Sequence, residues 1–165
     1  MITNCGNTTC RPITPVESGV MPGGSVLSCG CGSAGPLPTI DQTIANIFNP
    51  YPVASASIDL RAMKCPCILI SFTGIINIPA GAEPTINFNV VKSSCGQSVQ
   101  IASYTFNTND EEAQSTSFAF QCCDSSQCGQ QCPTYTVEIA NATTGTDGVI
   151  VNGNISVLAV EKICY

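Results

Sequence analysis

The chain has 165 residues, with five Lys and Arg against eleven Asp and Glu, no His, and a formal net charge of −6. Charged residues make up 10% of it, against about 25% for an ordinary soluble domain. The five cations, Arg11, Arg61, Lys64, Lys92 and Lys162, are scattered, so a nucleic-acid backbone finds no basic stripe to hold it. No segment reaches the ~18 consecutive apolar residues of a spanning helix, and no membrane span is expected.

The length suits one domain with a core of its own, plus an appended arm. A surface poor in charge has little like-charge repulsion to keep copies apart, which favours association. Twelve cysteines point to an oxidising exterior. Yet the opening MITNCGNTTCRP has neither the basic region nor the apolar stretch of a signal peptide. The expectation is cleavage from a precursor, or release by another route such as lysis of the producing cell.

Residues 1–38 hold five prolines, seven glycines and four cysteines (Cys5, Cys10, Cys29 and Cys31), with no aromatic residue. This composition reads as an extended N-terminal connector arm. From residue 39 to 165 the chain turns to β character, with 17 Ile and 12 Val against five Leu over the whole sequence, as pleated, half-buried chain prefers. The segment TIDQTIANIF (39–48) is read as a strand because of its β-branched content and flanking prolines. Alternation then predicts strands around Ile58 and Leu60, then Ile68, Ile70 and Phe72, then Ile86, Phe88 and Val90. Further strands follow at Val99–Phe106, at Phe118, Phe120 and Cys122, and at Tyr135, Val137 and Ile139. Val149 and Val151 precede NGN (152–154), after which Ile155, Val157 and Ala159 form the last run. PAGAEP (79–84), TNDEE (108–112) and TTGTDG (143–148) read as turns. About eight strands at this spacing predict an all-β, jelly-roll-like two-sheet β-sandwich.

The cysteines admit three chemistries. Zinc favours CxxC knuckles and His; here there is no His, the close pairs are CxC (29/31 and 65/67), and 128/132 is CxxxC. A redox dithiol calls for CxxC at a helix N-terminus, and no helix is predicted. Structural disulfides remain as the reading for Cys29, Cys31, Cys65, Cys67, Cys95, Cys122, Cys123, Cys128, Cys132 and Cys164. Cys65 and Cys67, two apart on a strand, would share a face about 7 Å apart, at the limit of a direct bridge. Cys122 and Cys123 would point to opposite faces. Cys5 and Cys10 lie near the tip of the arm, where a bond to another subunit locks an assembly; an intrachain clasp is the alternative.

No enzyme is expected. There is no His for general-base work and no G-x-S-x-G elbow, and Asp110-Glu111-Glu112 reads as a solvated turn. No catalytic residue, metal ligand or cofactor is therefore expected.

The blocks KCPCILISF (64–72), INFNVVKSSCGQ (86–97), SFAFQCCDSSQCGQQCPTYTVEI (117–139) and NGNISVLAVEK (152–162) together resemble a cysteine-rich β-domain family of unknown function from spore-forming anaerobic bacteria. The resemblance covers residues ~57–165. The overall design is also similar to endospore appendage (Ena-type) subunits. Those are jelly rolls without a signal peptide, whose cysteine-bearing N-terminal connector docks into neighbouring subunits. The likeness implies sheet augmentation and intersubunit disulfides, carried over to Cys5 and Cys10 by their place in the arm. The expected function is a self-assembling subunit of a spore-surface or cell-surface filament, with itself as partner, assembled in a mother cell and released by lysis. The alternative is a discrete jelly-roll binding module of a spore coat or exosporium, with intrachain disulfides only.

Overall fold

The computed structural model describes residues 24–38, 49–109, 112–125, 132–142 and 145–161. The arm cysteines Cys5 and Cys10, the strand read at 39–48, and Cys128 and Cys164 lie outside the described residues.

Eight strands run in chain order: β1 (Ser25–Ala34), β2 (Tyr51–Ser57), β3 (Pro66–Ile78), β4 (Thr85–Ser94), β5 (Gln97–Asn107), β6 (Gln114–Asp124), β7 (Thr134–Ala142) and β8 (Ile150–Glu161). Two four-stranded antiparallel sheets result, ordered β1-β8-β3-β6 (sheet A) and β2-β7-β4-β5 (sheet B). This is the strand order of a jelly roll, in which the chain changes sheet at most connections. The described residues contain no helix.

The period-two pattern builds the core directly. Ile68, Ile70 and Phe72 of β3 face Ile86, Phe88 and Val90 of β4, with Tyr135, Val137 and Ile139 of β7 beside them, all buried. Each such side chain contributes about 1.5–3 kcal/mol by leaving water. Aromatic rings fill the side of the sandwich next to β5 and β6. Phe120 stacks on Tyr104 (4.1 Å between centroids) and on Phe72 (5.0 Å), and Phe118 stacks on Phe88 (5.1 Å).

The opposite side closes by a different means. A Cβ built on Gly30 would lie 1.9 Å from the Ser55 carbonyl oxygen, and one on Gly32 would lie 2.2 Å from that of Val53. The backbones of β1 and β2 therefore touch with no side chain between them, an approach that only glycine permits. The two sheets meet along this seam, while aromatic rings fill the opposite side.

Three expectations need correction. Ser25–Ala34, assigned from composition to the arm, is the first strand of the sandwich, paired with β8 along its whole length. Its glycines look like a linker in sequence, but serve the seam. Ile58 and Leu60 are buried, yet they follow β2 in the loop to β3 and are not a strand. Val151 and Ile155–Ala159 belong to one strand that begins just after Val149, because NGN runs straight through in β-register, with Gly153 between Gly32 and Gly74. The turn at 79–84 does join β3 to β4, with Ala82 N–H donating to the Pro79 carbonyl (3.3 Å).

Candidate assembly surface

The outer face of sheet A is built in rows across four strands. Antiparallel register sets Leu27, Leu158, Leu69 and Cys123 in one row, and Cys29, Ser156, Ser71 and Gln121 in the next. Beyond them come Cys31, Asn154, Thr73 and Ala119, and at the other end Ser25, Val160 and Cys67. Alternation fixes this face, since the intervening residues of β3 and β8 turn to the core. None of its strand positions carries Asp, Glu, Lys or Arg. Leu27 is 63% exposed, Ile75 51% and Val160 40%.

Four thiols lie on this face. Cys29, Cys31 and Cys123 are exposed, Cys67 is half-buried, and all four are free within the chain. Cys29 and Cys31 border a shallow recess floored by Ser71, Thr73, Asn154 and Ser156. Cys122, also free, sits on the other side of β6, packed against the core with Phe118 and Phe120. Burial pushes the Cys122 thiol above its usual range. Cys122 and Cys123 thus look to opposite sides of sheet A.

Cys65, Cys95 and Cys132 are disulfide-bonded. Cys65 has φ 48° and precedes β3, while Cys95 has φ 52° at the β4–β5 turn. Left-handed φ is uncommon outside glycine, and at Cys65 it removes the residue from the strand. Cys65 and Cys67 therefore do not form the same-face strand pair that their spacing suggests. Among the described residues no three of His, Cys, Asp and Glu are arranged to hold a metal ion.

The sheet edges differ in how they are protected. An exposed edge is usually blunted by Pro, Lys, a bulge or cover, because its unpaired backbone groups invite another strand. β1 lies against β2 along the glycine seam. β2 carries Pro52 and a register shift between Pro52 and Ala54. β5 has a shift where Ile101 is skipped between Gln100 and Ala102. β6 has no Pro, Lys, Arg or bulge: its eleven residues run in unbroken register with β3, with Asp124 as its one charge at the end. Its Gln121 carbonyl accepts the Tyr104 hydroxyl at 2.7 Å.

At that end of β6 the two sheets are tied by polar groups. Asp124 Oδ2 accepts from Lys92 Nζ (2.7 Å) and from the Tyr135 hydroxyl (2.8 Å). Tyr135 is fully buried. Burial, reinforced by its bond to the Asp124 carboxylate, raises the Tyr135 phenol far above its ordinary range.

A family model described as a domain of unknown function (DUF4489) matches residues 23–161. The chain belongs to this family. The DUF4489 match starts just before β1 and ends at the last residue of β8, so β1 is part of the family domain. No curated protein matches the chain. Among solved structures it is similar to a chain of infectious bursal disease virus, Gx strain, with a TM-score of 0.41 and 8% identity over 93% of this chain and 43% of the viral one. The chain thus spans less than half the length of that viral chain.

Sequence reasoning placed the β3 and β6 cysteines on strands but missed the outer-face row of Leu27, Leu158 and Leu69. The signal was present in SVLSCGCGSA, where every second residue from Ser25 to Ser33 faces outward.

Proposed function

We propose that this DUF4489 protein is a non-enzymatic structural subunit that assembles with copies of itself into a filament on the exterior of a spore or cell. The observation that carries this reading is the edge of β6, eleven residues in straight register, unguarded by Pro, Lys, Arg or a bulge, with its Gln121 carbonyl bonded to Tyr104. Such an edge pairs with a strand of another subunit by β-augmentation, main-chain bonds supplying the affinity. The uncharged surface of sheet A lowers the cost of packing copies together. Residues 1–23 enter the sandwich at Gly24, where the Gly24 carbonyl accepts from Glu161 N–H (3.1 Å). In this reading they act as the connector to a neighbouring subunit, with Cys5 and Cys10 forming intersubunit disulfides. Assembly in a mother cell followed by lysis accounts for exterior placement.

The test is electron microscopy of the purified protein, paired with gel electrophoresis of boiled samples with and without reductant. Filaments, and a ladder that collapses to monomer on reduction, are expected. Uniform discrete particles that run as monomer in both lanes would instead establish the binding-module alternative.

A further inference from the structure

We propose that the outer face of sheet A is a contact face for the same face of a second copy of this chain, locked by disulfides between Cys29, Cys31, Cys67 and Cys123 of the two copies. The proposal rests on the self-association part of the preceding reading, but uses neither the β6 edge nor residues 1–23.

Three observations converge on this face. It is uncharged over every row from Ser25 to Ser33 and their partners on β8, β3 and β6. A leucine row, Leu27–Leu158–Leu69, crosses it, and Leu27 remains 63% exposed. Four free thiols stand on it while Cys65, Cys95 and Cys132 are bonded. Conditions that oxidise the latter do not leave exposed thiols unreacted for long, so the four need sulfur partners.

The choice of occupant follows from charge, sulfur and size. A face without charge offers nothing to an acidic or basic partner. A glycan or nucleic acid brings no thiol, whereas a second copy brings four to the matching place, as an isologous contact requires. Four strands about 4.8 Å apart and about nine residues long make a footprint of roughly 19 by 30 Å. With side-chain relief added, this approaches the ~800 Å² per partner of a standard stable interface. Two sheets so stacked sit about 10 Å apart on average, and a disulfide, whose Cα atoms lie about 4.4–6.8 Å apart, requires them to close locally at each linked pair. Each bond forms as two thiols lose their S–H protons to solvent and two electrons to molecular oxygen, giving one S–S bond and one hydrogen peroxide.

The experiment mixes ¹⁴N- and ¹⁵N-labelled full-length chains in equal amounts before assembly in air. Free thiols are then alkylated, the protein is digested without reductant, and the linked peptides are read by mass spectrometry. The expected result is mixed-isotope peptides joining two of the four face cysteines. In Leu27→Glu, which alters only an exposed side chain, these peptides should fall at least tenfold while circular dichroism is unchanged. Three results overturn the proposal: full alkylation of the four thiols, bonds from them only within one chain, or bonds from them to Cys5 or Cys10, which would make the arm the occupant. The two readings fail separately. Filaments with alkylated face thiols refute the face contact alone. Mixed-isotope face peptides in discrete dimers uphold the face contact and refute the filament.

Discussion

Replacing Gly30 with Ala tests the seam between β1 and β2. The added Cβ would stand 1.9 Å from the Ser55 carbonyl oxygen and 2.8 Å from its carbon, whereas ordinary contact begins near 3.4 Å. Both obstacles are backbone, so no rotamer change relieves them, and β1 must retreat by about 1.5 Å. Overpacking of this kind costs about 1–3 kcal/mol. For a domain of this size that lowers Tm by roughly 3–10 °C. The assay is urea denaturation together with amide hydrogen exchange, where faster exchange should concentrate in Ser25–Ala34. Gly24→Ala is the control, because its Cβ would meet nothing closer than 3.8 Å, and it should be neutral within ~0.5 kcal/mol. A Gly30→Ala protein as stable as the parent, with β1 exchanging as before, would refute the seam.

Tyr135 should make the fold alkali-sensitive. Its phenol is held neutral when folded and has an ordinary pKa of 10.0 when unfolded, so its contribution is complete below about pH 10. Above that the unfolded chain releases a proton that the folded one keeps, and stability falls by up to ~1.4 kcal/mol per pH unit. Tyr135→Phe should shallow that slope in denaturation curves from pH 9 to 11 and cost about 1.5–3 kcal/mol at neutral pH through the lost bond to Asp124; an unchanged slope counts against the assignment. Glu138 has its carboxyl raised by burial, so ionisation opposes folding as pH rises past its ordinary 4.5. Glu138→Gln should therefore stabilise at pH 7 and make no difference at pH 3, read as Tm at both. Asp124→Ala leaves Lys92 and Tyr135 without the shared acceptor and should cost about 3–5 kcal/mol in chemical denaturation. Ser117→Lys puts a charge on the β6 edge strand. Filaments seen by microscopy should shorten or vanish while Tm stays within the scatter of surface substitutions.

Much of the sandwich was legible because burial imposes period two. Ile68-Ile70-Phe72, Ile86-Phe88-Val90 and Tyr135-Val137-Ile139 alternate cleanly, and all nine are buried. The expected strand count came out at eight partly through offsetting errors: β1 was absorbed into the arm, β8 was split at NGN, and β2 was shifted onto Ile58 and Leu60. The errors at β1 and β8 share one cause. Glycine in a strand is ordinarily a break signal, and here Gly30, Gly32 and Gly153 occupy paired positions where backbone or an aromatic ring comes close. Composition alone does not distinguish a glycine that frees a chain from one that lets two chains touch. The four thiols of the outer face were all named from the sequence. That they share one face depends on the register of β1 against β8, which local periodicity does not carry.

The pairing of β1 with β8 also bears on mechanical strength. Ser25 sits opposite Val160 and Ala34 opposite Val151, and Gly24 is hydrogen-bonded to Glu161 just before them, so a pull applied at Gly24 loads this end of the ladder first. The ladder bonds run across the strands. A pull along β1 loads all ten residue pairs of that ladder together, in shear, while a pull across it peels them one at a time from Ser25. The ladder therefore resists tension in one direction and yields in the other, and in the proposed filament the direction of pull on β1 would set the force at which a chain of subunits parts.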